Sequence, residues 1–225
     1  MVDRMLWLVF IILILWAIAM HFIWKDNTHN PYKVNPNSVA LSFDDGPTPP
    51  YTSEILSILQ QNDVYATFFV LGKNAERYPE LVLKAYKEGN AIACHGVNHL
   101  DLTTATKEQV ESEVLGCKKI IEKIIGKSPI CYRPAFNKIT PTVQKYIEEQ
   151  GMVIIKVEID STDWKHTDAN SIVNTTLSLI APQSEITMHD GTSESENRST
   201  TVKALPILIQ KIKKMGLDVS RICYP

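Results

Sequence analysis

The chain falls into three regimes of hydropathy. Residues 6–24 read LWLVFIILILWAIAMHFIW, apolar apart from His21 and without a polar stripe. About 20 apolar residues span the hydrocarbon core of a bilayer, so the pattern predicts a membrane-inserted helix within residues 1–24. Residues 25–37 are polar, contain Pro31 and Pro36, and read as a linker. From residue 38 to 225, short β-type runs alternate with longer segments of helical period. Strands are predicted over 38–43, 64–71, 91–94, 130–133, 153–159, 185–188 and 217–223, and helices over 51–61, 78–88, 107–125, 141–150, 168–180 and 200–214. The punctuation agrees with these limits: Gly89, Gly126 and Gly151 close helices, Pro141 opens one, and Asp168 suits an N-cap. Such alternation implies parallel strands covered by helices, an α/β fold. About seven units in this length fit a distorted or incomplete (β/α) barrel better than a full eightfold one, with a doubly wound open sheet as the alternative.

Composition adds bounds rather than a new picture. The 225 residues allow one domain of substantial core plus the N-terminal appendage. A formal net charge of −2 argues neither for nucleic acid nor for a strongly anionic partner. Cys94, Cys117, Cys131 and Cys223 show no C-x-x-C spacing, so buried thiols are the default. One bridge is compatible with an oxidising compartment, but the sequence does not name its partners. Around the apolar segment, Arg4 is offset by Asp3 and Lys25 by Asp26, leaving orientation unset. Ala17-Ile18-Ala19 resembles a signal-peptidase site, yet the apolar run continues through Phe22, Ile23 and Trp24. The expectation is an uncleaved single-pass anchor with the domain outside the cytoplasm, or a secreted domain if cleavage occurs near Ala19.

Candidate chemistry sits at the strand ends, where parallel α/β folds gather it. The first strand ends in Asp44-Asp45-Gly46-Pro47, and the third runs into His95-Gly96-Val97-Asn98-His99. The fourth ends at Arg133-Pro134-Ala135-Phe136, the fifth at Asp160-Ser161-Thr162-Asp163-Trp164, and the sixth at His189-Asp190-Gly191. Each has a bland explanation when taken alone: a polar turn, unrelated surface histidines, a surface salt bridge, a core tryptophan. Together they deliver polar groups to one rim.

If the loop makes one helical turn, His95 and His99 share a face. With one of the paired aspartates they form a three-ligand metal site that keeps a position open for water. The other aspartate is then free to act as a general base. Arg133 calls for an ionised aspartate as partner. His189, near Asp160 and Asp163, is a candidate acid whose pKa a carboxylate would raise. Trp164 suits a wall for a sugar ring, and Asp190 reads as a turn residue rather than a ligand.

With these segments in family order and spacing, residues 38–225 resemble the polysaccharide deacetylases of carbohydrate esterase family four, the chitooligosaccharide-deacetylase-like domain. Thr201-Val202-Lys203-Ala204-Leu205-Pro206 resembles the same family. The resemblance implies Asp44 as catalytic base, with Asp45, His95 and His99 as ligands of a divalent metal, zinc first, with cobalt, nickel and manganese as alternatives. It implies Arg133 as the tether of the base and the Phe136 N–H as an oxyanion donor. Asp163 would tune His189, the general acid, and Trp164 would line the pocket for the acetyl group. Five departures stand out: Gly96 where serine or threonine is common, Leu100 for proline, Phe136 for tyrosine, Asn137 for glycine, and Thr187 for a pocket-lining leucine. Thr187 therefore puts the polarity of the substrate pocket in question.

The expectation is a membrane-anchored, metal-dependent hydrolase removing N-acetyl groups from an extracytoplasmic N-acetylhexosamine polymer, cell-wall peptidoglycan before chitin. The partners expected are that polysaccharide and the membrane, not nucleic acid. Two other readings compete with it. One is a non-catalytic carbohydrate-binding or wall-assembly protein on the same fold. The other is a deacylase of an O-acetyl or small cyclic amide substrate.

Overall fold

Strand β1 (Ser38–Asp44) is buried at every position, as a central parallel strand with both faces covered must be. The computed structural model describes residues 34–165, 168–191 and 197–224. The predicted membrane helix within 1–24 and residues 25–33 of the linker lie outside the described residues. Among the described residues, no helix is long and apolar enough to cross a membrane.

The strand period separates two faces of β1. Val39, Leu41 and Phe43 join the main core, while Ala40 joins a smaller apolar cluster on the other side. Along the chain follow α1 (Tyr51–Gln61), β2 (Thr67–Val70), α2 (Gly72–Arg77), α3 (Pro79–Lys87), β3 (Ala91–Cys94), α4 (Lys107–Ile125) and β4 (Cys131–Tyr132). After them come α5 (Pro141–Glu149), β5 (Val153–Ile154), β6 (Ile159–Asp160), α6 (Ala169–Leu177), β7 (Glu185–His189), α7 (Ser199–Lys214) and β8 (Asp218–Ser220). The helices cover the main core through apolar stripes, for example Ile55, Leu56 and Leu59 of α1 and Leu205, Leu208, Ile209 and Ile212 of α7.

Every strand pair is parallel, in the order β5-β4-β3-β2-β1-β7-β6, with β8 against the start of β1. This is an incomplete (β/α) barrel, and its opening explains one difference from the sequence reading. The run 153–159 forms two strands at opposite ends of the sheet, not one: β5 pairs with β4 and β6 with β7. Residues 155–158 cross the opening, where the Val157 N–H donates to the Asn137 Oδ1 at 3.1 Å. A second difference is α2, a short helix missing from the sequence reading because six residues are too few to show a period. Thirdly, the cysteines are not all free. Cys131 and Cys223 form a disulfide that ties the C-terminus to β4, while Cys94 and Cys117 are free and buried.

Candidate active site

The register aligns the ends of three strands. Asp44 lies opposite Phe69 of β2 and His189 of β7, so their C-terminal ends meet at one level. The Asp190 and Gly191 N–H groups both donate to the Asp44 carbonyl, at 3.1 and 3.2 Å. Contact is this close because neither chain carries a Cβ there. One on Gly191 would lie 2.0 Å from the Asp45 carbonyl carbon, and one on Gly46 2.1 Å from the Asp190 carboxylate. Asp45 then takes φ +74, which turns its side chain toward the pocket that Asp44 also reaches.

Asp44 is held from behind. Arg133 is 0% exposed. Its Nη1 donates to Asp44 Oδ1 and to Ser42 Oγ, each at 2.7 Å. Nη2 pairs with Glu185 Oε1 at 2.9 Å, and the guanidinium lies 3.9 Å over the Phe69 ring. Burial alone would weaken the charge on Arg133, but Asp44 and Glu185 hold its pKa above the ordinary value. Glu185 also accepts hydrogen bonds from Ser42 and from Thr187. This leaves Asp44 Oδ2 facing the histidines, 3.9 Å from His95 Nε2.

Asp45, His95 and His99 converge so that one ligand atom from each lies within 4.8 Å of the others. The loop makes no helical turn. Gly96 at φ +83 and His99 at φ +62 bring the rings together instead, 5.0 Å apart. His95 Nδ1 donates to the Arg133 carbonyl at 2.8 Å, which orients Nε2 toward Asp45. Burial lowers the His99 pKa, although Asp45 opposes it. Asp45 Oδ1 is buried without a hydrogen-bond partner, 3.4 Å from His95 Nε2 and 3.5 Å from His99 Nε2. A buried orphan carboxylate oxygen facing two imidazole nitrogens fits a divalent cation.

Across the cavity, His189 Nδ1 lies 2.7 Å from Asp163 Oδ1. The Asp163 Oδ2 accepts from the His189 N–H at 2.9 Å and from the Thr201 hydroxyl at 2.7 Å. Burial would discharge His189, but the hydrogen bond and charge of Asp163, with Asp44 and Asp45 adding to them, push its pKa up to about 9. Burial likewise acts to raise the Asp163 pKa, and the same pairing brings it below the ordinary value. Asp190 packs behind the Gly46 turn and accepts from Thr52 at 2.7 Å. Burial, with Asp45 and Asp44 adding to it, raises its carboxyl to about 7.

These groups border a cavity of about 730 Å³ lined by Asp44, Asp45, His95, His99, Phe136, Trp164, Thr187 and His189, with Arg198 at its side. Phe136 and Trp164 form exposed aromatic walls, 57% and 50% accessible. Phe136 and Asn137 both take positive φ, and the Phe136 ring meets His99 edge-on at 4.5 Å. Arg133 and Asp163 lie behind the lining. All ten residues singled out from the sequence thus belong to one constellation. Glu185 and Glu113 are not among them, and their signal in the sequence is an acidic residue on an otherwise buried strand or helix face.

A profile of the family described as Polysaccharide deacetylase matches residues 32–155. Two Bacillus cereus proteins, both named peptidoglycan-N-acetylglucosamine deacetylase, are 33% and 36% identical to this chain. The matches cover 83% and 81% of this chain and 66% and 84% of those proteins, so the chain spans just under two thirds of the first. A solved peptidoglycan N-acetylglucosamine deacetylase in complex with a naphthyl N-oxidanyl-benzamide has a TM-score of 0.79 at 31% identity, covering 84% of this chain and 89% of that one.

Proposed function

Because this chain belongs to the polysaccharide deacetylase family, we propose that it hydrolyses N-acetyl groups on an extracytoplasmic N-acetylhexosamine polymer, peptidoglycan first. The observation that carries this is the pairing across one cavity. Asp44 has one oxygen tied to Arg133 and one free, and it faces the charged His189–Asp163 pair beyond a cluster of three metal-type donors.

Asp45, His95 and His99 would hold a divalent ion, zinc first, which when bound polarises the acetyl carbonyl and lowers the pKa of a water molecule. Asp44, fixed by Arg133 through Oδ1, accepts the proton of the attacking water on Oδ2. The Phe136 N–H offers a donor to the developing oxyanion. His189, kept charged and oriented by Asp163, gives its Nε2 proton to the leaving amine. Trp164 and Phe136 flank the sugar. Thr187 hydrogen-bonds through its hydroxyl to Glu185, so it need not make the acyl pocket polar.

The domain is proposed to lie outside the cytoplasm behind a membrane anchor at residues 6–24. The Cys131–Cys223 disulfide supports an oxidising compartment. The test is acetate release by the full-length protein in detergent, on peptidoglycan and on chitooligosaccharides, with and without a chelator. Chelator-sensitive release is expected, faster on peptidoglycan. Silence on both substrates with zinc supplied would sink the hydrolase. The Asp44→Asn variant should lose at least about 100-fold in rate, whereas a carbohydrate-binding protein would keep its function.

A further inference from the structure

Glu113 lies within the buried stripe of α4, among Val110, Val114, Cys117 and Ile121. It is 3% exposed. Burying a carboxylate on an apolar helix face is unfavourable unless its oxygens are hydrogen-bonded, and an apolar residue would pack there more cheaply. The donors that satisfy it come from one place. Glu113 Oε2 accepts from the Val97 N–H at 2.8 Å and the Asn98 N–H at 2.9 Å. Oε1 accepts from Asn98 Nδ2 at 2.8 Å. Both donor residues stand between His95 and His99.

The other side of this loop is tied as well. The Gly72 and Lys73 N–H groups at the start of α2 donate to the Gly96 and Val97 carbonyls, at 2.9 and 3.1 Å. Space around the carboxylate is cut to fit, since a Cβ on Gly96 would lie 2.6 Å from Glu113 Oε2 and one on Gly116 2.8 Å from the Val97 side chain. Gly96 has no side chain with which to brace the loop itself, so the brace comes from the helix.

We propose that Glu113 is a positioning residue that gathers the amides of residues 97 and 98, and so sets the separation and aim of His95 and His99 before a metal ion binds. This inference rests on the reading of Asp45, His95 and His99 as a metal site. The carboxylate touches neither substrate nor metal and acts only through the loop. A charge that merely tolerates its burial would affect folding stability and leave metal affinity alone.

The test is zinc affinity of the full-length protein in detergent, by competition with a chromophoric chelator. It is paired with the thermal midpoint and the amide exchange of residues 95–99 in the metal-free protein. Glu113→Gln keeps the shape but places an amide NH₂ against N–H donors, and should weaken zinc binding by about 10–100-fold and speed exchange in the loop. Glu113→Leu removes the acceptor altogether and should weaken zinc equally, whatever its effect on the metal-free midpoint. Asn98→Ala removes one bond from an exposed position, so it folds in any case, and a several-fold loss of affinity is expected. Parental zinc affinity in Asn98→Ala and in a folded Glu113 variant overturns the proposal, as does a lowered midpoint with unchanged affinity. Absence of zinc uptake by the parent protein would overturn the metal site itself, a result distinct from an unbraced loop.

Discussion

Burial by itself would take the proton from His189, and the 2.7 Å contact with Asp163 reverses that outcome, giving a pKa of about 9. The sign follows from linkage: the folded-state pKa lies above the ordinary 6.5, so the charged form is the favoured one in the fold. The stability it contributes is complete below pH 6.5 and is lost as pH rises through about 9. As the proposed general acid, His189 needs its proton, so kcat/KM should fall on an alkaline limb near pH 9. Asp163→Asn leaves burial unopposed by its main partner, and the limb should move down toward or below neutrality with about a 100-fold loss at pH 7. A limb that stays near 9 in that variant would exclude His189 as the acid. Behind Asp44, Glu185→Leu removes one of the two carboxylates paired with Arg133 and should cost about 3–5 kcal/mol in denaturant unfolding; a cost under about 1 kcal/mol would mean that the pair with Arg133 is dispensable. Asp44, His95, Arg133 and His189 were legible because strand ends are where a parallel fold gathers chemistry. Glu185 and Glu113 were not, because what makes a buried carboxylate tolerable is its donors, and those come from Arg133 and from Val97 and Asn98.

The elements explain why this site needs glycine at Gly191. The ends of β1 and β7 cross so closely that a Cβ at this position would lie 2.0, 2.1 and 2.5 Å from three main-chain atoms of Asp45 and Gly46. No flexible side chain stands there to give way, so Gly191→Ala must separate the two strands just where Asp44, Asp45 and His189 converge. The expected result is at least a tenfold loss of zinc affinity together with a lowered thermal midpoint. Gly126 makes the contrast: a Cβ there meets nothing within 4 Å. Its φ of +70 as the cap of α4 limits the cost of Gly126→Ala to about 1 kcal/mol, with zinc affinity intact. Equal effects of the two substitutions would show that backbone strain matters, not strand approach. Local signals located most elements, and α1, β3 and α4 run between the residues the pattern set. Those signals failed where topology intervenes. Residues 153–159 look like one strand because apolar alternation is local, whereas their division between β5 and β6 depends on a barrel that does not close.

At the scale of the whole molecule, one covalent link connects fold, stability and compartment. The Cys131–Cys223 disulfide joins positions 92 apart and sits in the small inner cluster with Ala40, Phe69 and Ala93. The sequence is compatible with one such bridge but does not name its partners, because β4 and the C-terminal segment approach only once the sheet has formed. A loop of that length predicts about 2–5 kcal/mol of stabilisation through restriction of the unfolded chain. Cys131→Ser should lower the unfolding free energy by that amount and leave Cys94 and Cys117 buried as before. The same bond reports on location, since cytosolic thiols are kept reduced and disulfides persist outside. Cells lysed into an alkylating agent with denaturant should therefore yield a chain modified at Cys94 and Cys117 only, with Cys131 and Cys223 becoming reactive after reduction. Modification at all four without reduction would place the domain in a reducing compartment and overturn an extracytoplasmic substrate, while leaving the chemistry of the cavity untouched. Two modifications, together with recovery of the intact chain from the membrane fraction, would support the proposed anchor at residues 6–24 and a domain working outside.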